Sequence, residues 1–169
     1  FKGQSLLDFL ETVDVERLHA AAPFRMPVQL VLRPDQEFRG YAGQIASGTI
    51  RPGDSITAWP SGWTSKVARI VTWDGDLELA HAPMSVTLVL EDELDISRGD
   101  LLSVGPIQVH RRFSANVVWM DERPLDPGRV YLVKHNTRMA TAEVDRPLAL
   151  NEIGTLTVTA SQPFVFDPY

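Results

Sequence analysis

The chain has 169 residues, of which 44% are hydrophobic and 22% charged, and its formal net charge at pH 7 is −6. That length allows one domain or two small ones, and the composition is that of a globular protein rather than a disordered chain. No apolar run approaches the roughly 20 residues of a membrane-spanning helix. The acidic excess disfavours nucleic acid as a partner, because phosphate binding depends on Lys and Arg.

Cysteine is absent, which excludes disulfides, thiolate zinc sites and cysteine nucleophiles. The sequence also lacks a basic segment followed by an apolar one, the pattern of a secretory signal. Both observations predict a cytoplasmic protein.

Residues 1–23 are predicted to form a helical segment. The apolar residues of one face follow the i, i+3, i+4, i+7 spacing of a helix: Leu6, Phe9, Leu10 and Val13. Ser5 is suited to cap the helix, with Asp8 three residues later, and Pro23 limits it. Because the chain begins with Phe1 rather than Met, we expect it to be a piece of a longer protein whose preceding domain this helix covers.

After Pro23 the apolar pattern changes to period two, and turn residues recur roughly every ten residues, which is typical of all-β barrels or sandwiches. Proline and glycine predict turns at 51–54 and 60–62, and aspartate and glycine predict one at 74–76. Strands are predicted at 28–32, 38–47, 55–59, 64–73, 84–90 and 101–104. In the strand at 64–73, alternation places Val67 and Trp73 on the same face.

Near residues 106–111 the polar character rises, and a domain boundary is predicted there. Beyond it a second all-β unit of about 60 residues is expected, a size that small domains reach. Its strands are predicted at 113–119, 130–135, 139–144, 155–160 and 164–166, with a strong turn at 124–128.

The sequence contains no G-x-x-x-x-G-K-[ST] phosphate loop, G-x-S-x-G elbow or H-E-x-x-H pair. The four histidines have no metal-ligand spacing: His19, His81, His110 and His135. The acidic stretch 91–95 lacks the loop pattern of a calcium site and is interpreted as a solvated loop. Lys134 and His135 have no base or oxyanion hole at a suitable spacing. No catalytic, cofactor-binding or metal-binding residue is therefore predicted.

The four tryptophans could either stack bases or fill apolar space: Trp59, Trp63, Trp73 and Trp119. Base-stacking proteins combine such aromatics with a positively charged groove, and this chain is acidic. We therefore expect these tryptophans to lie in the core or at domain contacts.

Two segments carry a resemblance to known proteins. FRGYAGQIASGTIRPGDSI, at 38–56, resembles the strand–turn–strand signature of the β-barrel second domain of translation-factor GTPases. In that pattern Gly40, Gly43 and Gly48 would let strands cross closely. DISRGDLL, at 95–102, is similar to the segment that closes the same barrel.

Further segments point to one branch of this superfamily: PFRMPVQLVLRP at 23–34, PSGWTSKVARIVTWDGDLELA at 60–80, FSANVVWM at 113–120 and ALNEIGTLTVTASQPFVFDPY at 149–169. They resemble the GTP-binding large subunits of bacterial sulfate adenylyltransferases, including forms fused to an adenylylsulfate kinase. The resemblance covers nearly the whole chain, with its motifs in the same order. It implies an all-β fold of two consecutive barrels, of the kind seen in domains 2 and 3 of elongation factor Tu.

The resemblance implies a helical segment at 1–23 leaving a GTPase domain, a second-domain barrel at 24–107 and an incomplete third-domain barrel at 108–169. The parent enzyme would form adenylylsulfate and pyrophosphate from ATP and sulfate, driven by GTP hydrolysis. GTP and Mg²⁺ would belong to the GTPase domain, and the sulfate chemistry to a small subunit. This piece alone would be inactive, with the small subunit, its own GTPase domain and a fused adenylylsulfate kinase as candidate partners.

The chain departs from the family in two places. The family has a longer stretch between residues 137–139 and 149–154, so residues are expected to be missing around 142–146. The family also continues beyond Tyr169 with a last strand, so we expect the third-domain barrel to have an unpaired edge, which invites pairing with a neighbour.

Candidate partner contacts are large side chains in predicted loops: Arg33, Arg39, Trp63, His81, Arg98 and Arg112. Each is also compatible with ordinary surface, since few interface residues carry binding energy. Two other functions stay open. The chain could be an RNA- or tRNA-binding barrel module of a translation-type GTPase, which salt-dependent RNA binding would reveal. It could also be a structural module of an unrelated translation GTPase, which the upstream gene sequence would identify.

Overall fold

A computed structural model of the protein describes residues 3–12, 22–34 and 38–167. It contains one helix, α1 (Leu6–Thr12), followed by strands. The strands of the first unit are β1 (Arg25–Pro27), β2 (Leu30–Leu32), β3 (Gly40–Gln44), β4 (Thr49–Ile50), β5 (Ser55–Trp59), β6 (Trp63–Thr72), β7 (Gly75–Leu77), β8 (Ala80–His81), β9 (Ser85–Leu90) and β10 (Leu101–Ser103). The strands of the second are β11 (Gln108–Val118), β12 (Tyr131–His135), β13 (Arg138–Val144) and β14 (Ile153–Phe166).

The predicted cap of α1 is confirmed. The backbone N–H of Asp8 donates to Oγ of Ser5 at 3.1 Å, and the Ser5 hydroxyl donates to the Asp8 carboxylate at 2.6 Å. The apolar face of the helix is exposed, with Phe9 at 52% and Leu10 at 60%. Val13 and the rest of the predicted helix up to residue 21 lie outside the described residues.

The first unit is a closed barrel. Its strands pair in the order β1-β10-β5-β6-β9-β3-β2, all antiparallel. Strands β1 and β2 are two ends of one extended segment, joined by Val28 and Gln29. The N–H of Val28 donates to the Asp100 carbonyl at 2.8 Å, and that of Gln29 to the Ala42 carbonyl at 2.9 Å. The segment thus bonds β10 on one side and β3 on the other, which closes the ring.

Alternation along the barrel strands directs every second side chain inward. The interior is filled by buried apolar residues from all sides of the ring, among them Met26, Tyr41, Ile56, Ile70, Leu88 and Leu102. In β6 the predicted alternation is wrong, because the pairing with β9 shifts register between Val67 and Arg69. This irregularity brings Ile70 inside together with Val67, and places Arg69 outside.

Glycine is required at two of the predicted positions. A Cβ on Gly43 would collide with the carbonyl oxygen of Pro27, where β3 crosses β1. Gly48 has φ +76°, and a Cβ there would lie 2.5 Å from the backbone nitrogen of Phe24. The expectation that these glycines allow close strand crossing is confirmed at both positions.

The second unit is a four-stranded antiparallel sheet in the order β11-β14-β13-β12. The long strand β14 replaces the two strands predicted at 155–160 and 164–166. One apolar cluster is built around Phe164 and a second around Leu148 and Leu156. Within the described residues, β11 and β12 each pair on one side only, so this sheet has two open edges.

Strands from Arg25 to Ser103 pair among themselves, and strands from Gln108 to Phe166 pair among themselves. The all-β class with curled antiparallel sheets, predicted from the sequence, is confirmed. The exact domain limits at 24–107 and 108–169 stay a prediction.

Candidate docking surfaces

Among the described residues, no group of three or more His, Asp or Glu side chains could hold a metal ion. Likewise, no helix in the described ranges is both long and apolar enough to cross a membrane.

Two of the predicted contacts meet at one end of the barrel. Nη2 of Arg33 and Nη1 of Arg39 both lie 3.9 Å from Oε2 of Glu93, and Nη2 of Arg39 lies 3.9 Å from Oδ1 of Asp95. The Arg39 guanidinium also lies 5.9 Å from the Tyr41 ring centre. The acidic stretch predicted as a solvated loop thus neutralises these arginines.

Burial raises the pKa of Tyr41, whose hydroxyl donates to the Leu94 carbonyl at 2.7 Å. The neighbouring Arg39 acts in the opposite direction, since a cation favours the ionised phenol. Tyr41 is therefore held as a neutral donor that anchors the acidic loop to the barrel.

The other predicted contacts lie on separate elements and form no common site. Trp63, at the start of β6, is 63% exposed. His81 in β8 is exposed, with Nδ1 2.8 Å from the Ala82 carbonyl. Arg98 is exposed in the turn before β10, and Arg112 is exposed on β11. Their role in binding a partner remains a prediction.

A buried arginine that sequence reasoning missed joins the two units. The Arg25 side chain is 7% exposed, and its Nη2 lies 2.6 Å from Oδ1 of Asp167, just beyond β14. The same guanidinium donates to the carbonyls of Phe24, Val104 and Pro106. All but one of these partners are distant in sequence, so no local pattern signals the contact.

A second contact between the units lies at the DISRGD turn. Nη1 of Arg138 donates to Oδ1 of Asp100 at 3.3 Å, and the Thr137 hydroxyl donates to the Val28 carbonyl at 3.0 Å. Burial raises the pKa of Asp100, although the N–H of Ser97 and the Arg138 charge oppose the shift. We call these contacts, together with Arg25–Asp167, the interdomain clamps.

The tryptophans divide into two kinds. Trp59 and Trp119 are half-buried and have indole N–H partners, the Ser103 hydroxyl at 2.9 Å and the Arg123 carbonyl at 2.7 Å. Trp63 is mostly exposed and Trp73 is 100% exposed. Of the two expected positions, the core is therefore wrong for Trp73, which lies at a turn tip beyond the end of β6, and a domain contact stays a prediction.

Between the open edges of β11 and β12 lies an apolar groove of about 680 Å³. Its walls include Phe113, Val133, Phe164 and Phe166. His135 lies at one end with its ring centre 6.4 Å from that of Phe164, and partial burial lowers its pKa. The open edge expected for the second unit is thus present among the described strands.

A closed antiparallel barrel joined to a second curled antiparallel sheet defines the class: an all-β protein with two β units. The comparisons with known proteins are more specific. Over its whole length the chain is 44% identical to "Sulfate adenylyltransferase subunit 1" of Bacteroides thetaiotaomicron. It is 46% identical, again over its whole length, to the protein of that name from Tolumonas auensis.

Over 95% of its length the chain is 49% identical to the protein of the same name from Vibrio atlanticus. The chain is therefore similar, over nearly all of its length, to one region of proteins named sulfate adenylyltransferase subunit 1. It spans about 40% of the length of the Bacteroides and Tolumonas relatives. No family model matches the chain.

The alignment with the Bacteroides thetaiotaomicron protein runs over 197 positions, which exceeds the 169 residues of this chain. That relative therefore carries residues without a counterpart here, as the family resemblance leads one to expect. In this chain β13 passes to β14 through a turn in which Asp145 accepts a hydrogen bond from the Thr157 N–H at 2.9 Å. This bond and the Thr157 hydroxyl lower the pKa of Asp145.

Proposed function

We propose that this chain is the non-catalytic barrel region of the GTP-binding subunit of a sulfate adenylyltransferase. The parent enzyme would form adenylylsulfate and pyrophosphate from ATP and sulfate, driven by GTP hydrolysis. The observation that carries the proposal is the identity of 44–46% to subunit 1 proteins over the whole chain. The chain itself would hold the GTPase domain and the small catalytic subunit in place while they react.

The interdomain clamps support such a holding role. A nucleotide switch acts on other domains only through contacts that differ between its two states. A platform transmits such a change best when its own parts stay fixed relative to each other. Arg25–Asp167 and Asp100–Arg138 tie the barrel to the second sheet at two separate places.

The proposal assigns the remaining chemistry to other parts of the parent. GTP and Mg²⁺ would bind the GTPase domain, ATP and sulfate the small subunit, and an adenylylsulfate kinase would be a further domain of fused forms. The parent would be cytoplasmic. On this chain the proposed partner contacts are Arg33, Arg39, Trp63, His81, Arg98 and Arg112.

The test is a calorimetric titration of the 169-residue chain with the small subunit, together with assays of GTP hydrolysis and adenylylsulfate formation by the chain alone. We expect micromolar or tighter binding and no activity of the chain alone. Arg39→Ala and Trp63→Ala should weaken binding several-fold, whereas Met120→Ala, a change at an exposed position of the second unit, should not. Absence of binding, or GTP hydrolysis by the chain, would overturn the proposal.

A further inference from the structure

The hairpin between β6 and β7 presents a tryptophan to solvent on a rigid support. Trp73 and Asp74 form its tip, and Thr72 pairs with Gly75 across it. The Thr72 hydroxyl donates to the Gly75 carbonyl at 2.8 Å, and Arg69 bonds both oxygens of Asp76 at 2.7 and 3.1 Å. The exposed indole is therefore held on a short hairpin that side-chain hydrogen bonds stabilise at two places.

The indole borders a groove of about 330 Å³ on the side of the barrel. Every residue that lines the groove is uncharged: Gln29, Ala42, Gly43, Val71, Thr72, Trp73, Ser85, Val86 and Thr87. A large aromatic side chain beside a neutral depression is the arrangement found at the centre of protein–protein interfaces.

The surroundings of this groove are acidic. Asp74, Asp76 and Glu78 are all exposed on the hairpin and the residue that follows it. Asp76 is neutralised by Arg69, whose hydrogen bonds lower the pKa of that carboxyl. Within the described part of the chain, Asp74 and Glu78 have no ion-pair partner, so their charges are not neutralised by a neighbouring cation.

We propose that this surface, defined by Trp73, the neutral groove and the carboxylates of Asp74 and Glu78, docks a separate protein subunit through a basic side chain. An arginine of that subunit would lie over the indole, as a cation does on an aromatic face, with the carboxylates beside it. A nucleic acid fits this surface poorly, because its phosphates would face the same carboxylates. The inference rests on the proposed docking of the small subunit and names the surface used.

The experiment compares Trp73→Ala with Met120→Ala in the titration of the 169-residue chain with the small subunit. We expect Trp73→Ala to raise Kd at least tenfold and Met120→Ala to change it less than threefold. Asp74→Lys combined with Glu78→Lys should also raise Kd, and should remove the weakening of binding by salt. Because the Trp73 side chain is 100% exposed, the Tm of Trp73→Ala should equal that of the wild type.

A direct readout comes from ¹⁹F NMR of the chain labelled with 5-fluorotryptophan. The Trp73 resonance should shift when the small subunit binds, and the Trp59 resonance should stay. If the wild-type chain binds but Trp73→Ala binds equally well, this inference is wrong while the docking function stands. If the wild-type chain does not bind the small subunit, both this inference and the proposed docking function are wrong. If instead a 12-residue poly(A) RNA binds and Trp73→Ala abolishes that binding, a nucleic acid is the partner and the inference is overturned.

Discussion

The two units of the molecule differ in whether the edges of their sheets are paired. In the first, the segment that contains β1 and β2 bonds a neighbour on each side, and the barrel has no edge along its ring. In the second, the described strands β11 and β12 each leave one edge unpaired, with an apolar groove between them. A closed barrel completes its own core, whereas an open sheet needs support from outside.

Part of that support comes from the first unit. Asp167 follows the last strand of the open sheet and is bonded by Arg25 of the barrel, while Arg138 of β13 bonds Asp100. The stability of the second unit therefore depends on the first unit more than the stability of the first depends on the second.

The largest effect is expected for Arg25→Ala. Removing one partner of a buried ion pair costs about 3–5 kcal/mol. Because Asp167 is half-exposed, we expect Arg25→Ala to lower the free energy of unfolding by about 3 kcal/mol, at the small end of that range. Urea unfolding measures this loss. Hydrogen exchange should show the opening of β14 accelerated more than that of β6, because the open sheet loses its support.

A matched exposed ion pair supplies the control for Arg25→Ala. Arg69→Ala breaks the exposed pair with Asp76 and should not measurably lower stability. If Arg25→Ala proved no more harmful than Arg69→Ala, the dependence of the second unit on the clamp would be refuted.

A loss of similar size is expected for Gly48→Ala in the closed barrel. The residue has φ +76°, and the new Cβ would press on the backbone of Phe24, so strain and overpacking together should cost roughly 2–4 kcal/mol. Gly53→Ala is the matched control, since its φ is +90° with nothing within 4 Å of the new Cβ. It should cost only about 1 kcal/mol. Equal losses in thermal unfolding would show that the close approach at Gly48 does not matter.

An effect of pH on stability is expected in the open sheet. Partial burial lowers the pKa of His135 below its ordinary value of 6.5, so the folded state binds this proton less readily than the unfolded state. The stability that neutral His135 contributes is therefore complete above pH 6.5 and is lost as the pH falls below it. His135→Gln should lose less stability than the wild type between pH 7 and 5.

The control for this pH effect is His110→Gln, on β11 and outside the residues that line the groove. Urea midpoints at several pH values measure both variants against the wild type. An unchanged pH profile in His135→Gln would contradict the assignment.

The smallest predicted effect is the contribution of Asp100, the partner of Arg138, to the pH dependence of stability. Burial raises its pKa above the ordinary 3.8, so the folded state holds this proton longer and stability is lost as the pH rises through the raised pKa. Asp100→Asn keeps the acceptor for the Ser97 N–H and removes the titration. The stability of Asp100→Asn relative to the wild type should therefore be more favourable at pH 7 than at pH 3. The opposite sign would show that attraction to Arg138 outweighs burial.

Most of the strand pattern could be predicted because local turn chemistry and period two dominate short antiparallel strands. The limits of the strand predicted at 55–59 are confirmed, and the limits of β6, β9 and β10 differ from the predicted ones by at most one residue at each end. The break predicted between 160 and 164 is wrong. The strand β14 continues through Pro163 because the register with β11 shifts between His110 and Arg112 there, and a proline is tolerated at such an irregularity.

The candidate surfaces could be predicted less well, for two physical reasons. The irregularity at Val67–Arg69 changes which face later residues of β6 occupy, so alternation could not place Trp73. The clamp between Arg25 and Asp167 joins residues 142 positions apart, and such contacts leave no local pattern. Arg33 and Arg39, by contrast, flank a predicted strand end and do share one acidic partner, Glu93.

The most direct measurement is a competition assay with an intact two-subunit sulfate adenylyltransferase. An excess of the folded 169-residue chain should capture the small subunit and lower GTP-stimulated adenylylsulfate formation in proportion to its concentration, while the Trp73→Ala chain should need at least tenfold more for the same inhibition. Undiminished adenylylsulfate formation in the presence of an excess of folded chain would contradict the account that these β units are a docking platform.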